Sequence, residues 1–74
     1  MVGDLMYTLT INMNGSSRNS EHQTLRDART ALIRYQSREG LWLTIDGWRE
    51  TMGRARQTGE LRAGTDTVGG WCIS

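Results

Sequence analysis

At 74 residues, with 36% hydrophobic side chains, no Phe and no Pro, the chain has room for one domain and a thin core, because a chain this short buries barely enough apolar surface to fold alone. Its single cysteine excludes an internal disulfide and a cysteine-rich zinc site, and no stretch approaches the roughly 20 apolar residues of a membrane span. A formal charge of +1 is too small for a global field to draw in nucleic acid.

The core must rest on a few large residues, chiefly Trp42, Trp48, Trp71, Tyr7 and Tyr35, with oligomerisation as the natural supplement. The first thirteen residues carry Asp4 where an export signal has a basic segment, so a cytoplasmic protein without membrane association is expected. All nine basic residues are Arg. GC-rich coding accounts for such a bias, although arginine also suits planar contacts to carboxylate and phosphate.

From Leu5 to Met13 apolar and polar residues alternate, which predicts a half-buried strand. Asn14–Ser20 is polar with an Asn-Gly dipeptide and is expected to be a turn or loop. A helix is predicted from Ser20 or Thr24, each with capping-box spacing, to a stop at Gly40. Leu25, Ala28, Leu32 and Tyr35 form its apolar stripe, with Ala31 beside them, and Arg26, Arg29, Arg34 and Arg38 lie opposite.

Leu41–Ile45, Asp46-Gly47 and Trp48–Met52 read as a β-hairpin, since Asp-Gly is the expected chemistry of a type I′ turn. That register pairs Ile45 with Trp48, Leu43 with Glu50 and Leu41 with Met52 on one face, and it turns Trp42, Thr44, Arg49 and Thr51 to the other. Glu50 then falls on an otherwise apolar face, at a cost unless it lies at the margin or against an Arg. The alternative for residues 48–57 is a short helix with Trp48, Met52 and Ala55 on one side. Gly53–Gly64 is polar and weakly patterned, extending the third strand and then bending at Thr58-Gly59. Thr65–Ile73 suits a short last strand or a segment packed across the sheet, with Gly69-Gly70 weakening the strand.

The fold class that follows is α+β: a small antiparallel sheet of three to four strands with one amphipathic helix on one face. Its order is strand, helix, strand, strand, with a last strand as an option, in a single domain spanning residues 1–74. The first strand is expected at an edge, open to a second copy.

Nothing in the sequence assembles a reaction centre. His22 and Cys72 lie far apart, the carboxylates are scattered, and no phosphate-binding loop occurs, so no catalytic residue, metal site or cofactor is expected. Binding is the remaining class, with Trp42, Arg49, Glu50, Arg54, Arg56 and Arg62 as candidate residues: a Trp among arginines has the composition of an interface hot spot. The first expectation is a non-enzymatic protein that occupies a surface on another macromolecule, with a protein partner and a homodimer through an edge strand. Its size and style are those of phage or mobile-element accessory proteins that inhibit host systems, such as anti-CRISPR proteins, an analogy that no motif carries. The second is a single-stranded nucleic-acid-binding module using the same Trp and Arg residues.

Overall fold

The computed structural model describes residues 6–51 and 54–74, with side chains within 6–48 and 55–74. Alternation in the first segment does produce a strand, β1 (Tyr7–Met13). Its chain then reverses at Asn14-Gly15, where φ values of 51° and 81° supply the two left-handed residues of a type I′ turn. The polar segment behind it is therefore a strand, β2 (Ser16–His22), paired with β1 from Met13–Ser16 to Tyr7–His22. With no apolar residue, β2 leaves no period in the sequence, and its polar side chains suit the sheet edge that it forms.

The helix α1 (Leu25–Glu39) begins at the second of the two expected starts. Thr24 is its N-cap, the hydroxyl accepting from the Asp27 amide at 3.0 Å, and Gly40 ends it in the left-handed conformation. Ala28 and Leu32 are buried, with Leu25, Ala31 and Tyr35 packed around them, as the apolar stripe requires. Replacing Thr24 by Ala removes the cap and is expected to cost about 1 kcal/mol in urea unfolding.

Beyond the helix come β3 (Trp42–Leu43), β4 (Gly47–Thr51), β5 (Arg54–Ala63) and β6 (Asp66–Ile73). All pairings are antiparallel, in the order β2, β1, β6, β5, β3, with β4 also on β5. The architecture is thus α+β with one helix, but its sheet has six strands where three to four were expected. The first strand is interior, between β2 and β6, and the open edges are β2 on one side and β3–β4 on the other. Among the described residues, no helix is long and apolar enough to cross a membrane.

The largest correction concerns Asp46-Gly47, which is not a hairpin turn. Neither residue has a positive φ. Residues 42–51 run in one direction beside β5, pairing Trp42 with Arg62 and Leu43 with Leu61, then Gly47 with Thr58 and Trp48 with Gln57. Between these stretches Thr44, Ile45 and Asp46 stand opposite only Gly59 and Glu60, which is a β-bulge. Backbone bonds from Thr44 to Glu60 O (3.0 Å) and from Asp46 to Thr58 O (2.9 Å) keep the bulged segment attached. A local turn preference is weak beside a continuous ladder, and the ten residues of β5 offer both runs one partner. The antiparallel partner of β4 is instead β5, with Thr51 and Arg54 paired with each other.

Residues 48–51 and 54–57 are strand rather than helix. β5 also passes straight through Thr58-Gly59, where a bend was expected, and Gly69-Gly70 lie inside β6. At Gly69 the lack of a side chain allows close approach, because a Cβ there would strike the Asn12 carbonyl oxygen.

The core forms where α1 lies over β1, β2 and β6. Leu9 and Ile11 of β1, Leu61 of β5, and Trp71 and Ile73 of β6 meet Ala28 and Leu32 of the helix, with Leu41 closing one end. The other sheet face has no covering element among the described residues.

Candidate functional site

The strand pairings decide which side of the sheet each residue occupies, since directly paired residues share a face and neighbours along a strand alternate. On β5, Ala55, Gln57, Gly59 and Leu61 are on the helix side, where Leu61 joins the core and Gln57 meets the helix. Arg54, Arg56, Thr58, Glu60 and Arg62 consequently share the open side. Trp42 joins them through its pairing with Arg62, and Arg49 through its pairing with Arg56.

Five of the six expected binding residues therefore fall on one open face: Trp42, Arg49, Arg54, Arg56 and Arg62. The sixth, Glu50, pairs with Ala55 and belongs to the helix side. The side chains of Arg49, Glu50 and Arg54 lie outside the described residues, so only their register positions are used. Trp42 is 66% exposed and so lies outside the core in which it was expected, whereas Trp71 is buried. Arg56 is exposed, whereas half-buried Arg62 is held by Glu60 in a 2.8 Å ion pair.

Glu60 anchors this end of the face. Its carboxylate accepts from both Nε and Nη2 of Arg62, at 3.2 and 2.8 Å, and from the Thr67 hydroxyl at 3.4 Å. Its backbone amide donates to the Thr44 hydroxyl at 2.9 Å, so the β-bulge and the Arg62 clamp are tied together. Arg62 beside Trp42 is thereby set in position, and Arg49 holds the register position directly opposite Arg56. Like charges directly opposite across two strands destabilise a sheet, and a bound anion relieves that repulsion. Toward the centre the face is polar and low, with Thr8, Thr10, Thr58 and Cys72 half-buried.

Comparison of the chain with protein-family models, curated proteins and solved structures found no match. The site is accordingly argued from its own geometry.

Cys72 lies on the open face, paired with Thr10 and Thr58, while His22 lies on the helix side of β2, paired with Tyr7. The sheet itself separates them. His22 is the last residue of β2, half-buried, with its Nε2 2.8 Å from the Ser20 hydroxyl.

A second surface lies on the helix side, where α1 does not extend over β3 and β4. Ile33, Ile45 and Trp48 are 54%, 68% and 53% exposed there. Ile33 and Ile45, together with Leu43 and Trp71, border a groove of about 380 Å³ between helix and sheet. Arg29 crosses it, its Nε donating to Gln57 Oε1 at 3.0 Å and its guanidinium lying 5.6 Å from the Trp48 ring centre.

The face carried by β5 had a signal in the sequence. Arg54, Arg56, Thr58, Glu60 and Arg62 alternate strictly with Ala55, Gln57, Gly59 and Leu61, a period of two obscured because Gln57 and Gly59 stand at two of the four helix-side positions. Ile33 and Ile45 gave none, because their exposure depends on where the helix ends up across the sheet.

Proposed function

We propose that this chain is a non-enzymatic binding protein that lays its open sheet face on another macromolecule, and that this macromolecule is a single-stranded nucleic acid. The observation that carries the reading is the register of β3, β4 and β5, which gathers Trp42, Arg49, Arg54, Arg56 and Arg62 on one uncovered face and sets Arg49 against Arg56. Two arginines at one pairing position gain a sheet nothing by themselves; a phosphate beside them offsets the like charges and adds charge-assisted hydrogen bonds. An exposed Trp beside the arginines supplies a π-face on which any base stacks. A protein partner, the class expected first from the sequence, could use the same Trp and arginines, but it does not by its nature supply the regular row of phosphates and bases that this basic face and its exposed ring would take.

The test is fluorescence anisotropy with a short labelled oligonucleotide, single-stranded and then duplex. Binding of the single strand is expected to weaken with salt at a log–log slope of about −2 to −3, the value for three or four neutralised phosphates. Trp42→Ala should weaken binding by about 1–3 kcal/mol, and Arg56→Glu should weaken it and flatten the salt dependence. Equal affinity for the duplex, no binding at low salt, or indifference to both substitutions would reject the reading.

A further inference from the structure

We infer that the groove between α1 and the sheet is a binding site for a small amphipathic carboxylate, an acid whose apolar body lies in the groove and whose charged end is held by Arg29 and Gln57. At about 380 Å³ the groove has the size of a small-molecule site. Leu32 and Ile33 line it from the helix, Leu43 and Ile45 from the strand edge, and two polar side chains meet in the same lining.

The first is Gln57, which is only 4% exposed. Arg29 Nε can only donate, so its 3.0 Å contact fixes the amide oxygen of Gln57 toward the arginine and turns the NH2 group elsewhere. Among the described residues nothing accepts from that NH2 group, which is costly for a group so nearly buried. No described side-chain nitrogen or oxygen is both sealed from solvent and unpaired. The NH2 group therefore reaches open space, and the space that Gln57 lines is the groove.

Arg29 is the second donor. Its Nε is committed to Gln57, its guanidinium lies 5.6 Å from the Trp48 ring centre, and no carboxylate among the described residues pairs with it. A planar guanidinium beside an amide NH2 offers donors to both oxygens of one carboxylate. Along β5, Gln57 is about 13 Å from Leu61, the residue that Leu43 faces, so the polar and apolar ends of the groove are set apart like the head and tail of an acid. Water satisfies the amide but leaves the walls wet, and an uncharged apolar molecule covers the walls but leaves Arg29 without a counter-charge. An amphipathic anion does both. The groove is on the helix side and shares no residue with the face assigned to nucleic acid, so the two proposals fail separately.

Titration of the 15N-labelled full chain with octanoate, followed by NMR, tests this, with octanol as the uncharged probe of equal chain length. Octanoate is expected to shift the side-chain NH2 resonances of Gln57 with a dissociation constant of about 0.1–1 mM, and octanol to bind at least about tenfold more weakly. Arg29→Gln should weaken octanoate about tenfold and leave octanol unchanged. Ile33→Glu, at a half-exposed helix position, should weaken both by placing a carboxylate in the apolar wall. Both substitutions are at exposed helix positions and keep the fold, which far-UV circular dichroism verifies. No shift of the Gln57 NH2 resonances at about 10 mM octanoate, equal affinity for octanol, or octanoate binding that is unchanged in either folded variant would overturn the inference.

Discussion

Replacing Trp71 by Ala is expected to remove most of the stability of the fold. The indole is 4% exposed, and truncating a buried Trp costs about 3–5 kcal/mol in lost burial and residual cavity. A domain of this length holds only about 4–11 kcal/mol in total. More than area is lost, because Trp71 pairs with Gly59 of β5 and its Nε1 donates to the Thr44 carbonyl at 3.0 Å. One side chain thus reaches from β6 across β5 to the bulge, covering the part of the sheet that the helix leaves. Urea unfolding followed by far-UV circular dichroism should show no cooperative transition or a midpoint near zero denaturant. Trp71→Phe separates the two contributions: it keeps most of the apolar area, loses the indole bond, and should cost about 1–2 kcal/mol. A loss below about 1 kcal/mol for Trp71→Ala would show that the bridge across β5 is not what holds the edge.

The second large effect is expected from Gly59→Ala, a change that in most strands is neutral or favourable. Here a Cβ would lie far inside contact distance of the Thr44 carbonyl oxygen and 2.5 Å from Trp71 Nε1. Backbone on one side and a buried indole on the other have no rotamer with which to yield, so the bulge must move away from β5. Overpacking of this kind costs about 1–3 kcal/mol, and losing the indole bond to Thr44 adds about 1 kcal/mol. Gly70→Ala is the matched control on the neighbouring strand, since its Cβ would meet only Gly59 O at 3.4 Å, an ordinary contact. The difference between the two midpoints measures how tightly the bulge is clamped. Equal stabilities would mean that Thr44 and Trp71 move aside freely.

These two residues also mark where reading the chain locally stops working. The alternation of Leu5–Met13 and the stripe of Leu25, Ala28, Leu32 and Tyr35 identify β1 and α1, and Thr24 and Gly40 mark the helix ends. Each signal is completed within a few residues of itself. The two Gly dipeptides behaved differently although they share a chemistry. Asn14-Gly15 closes a hairpin because β2 has no partner except its neighbour, whereas Asp46-Gly47 stays extended because β5 pairs with both flanks of it.

The candidate site divides in the same way. Trp42, Arg49, Arg54, Arg56 and Arg62 could be listed from the sequence as residue types, and Trp42, Arg49 and Thr51 were expected on one face. They do share one, through a register different from the expected hairpin, because alternation along a strand persists whichever partner it meets. Glu50 was expected on the face of Leu43 and Trp48, and its pairing with Ala55 places it there.

By itself, then, the sequence determined the elements whose signal is local: one amphipathic helix with its caps and an alternating first strand. Only the tertiary structure decided that the polar segment Ser16–His22 is an edge strand, that β1 and β6 are interior, and that Arg49 of β4 pairs in register with Arg56 of β5. The physical reason is that strand pairing is a contest among distant partners, decided by the total length of ladder and by close approaches such as Trp71 over Gly59, none of which is encoded in a local period.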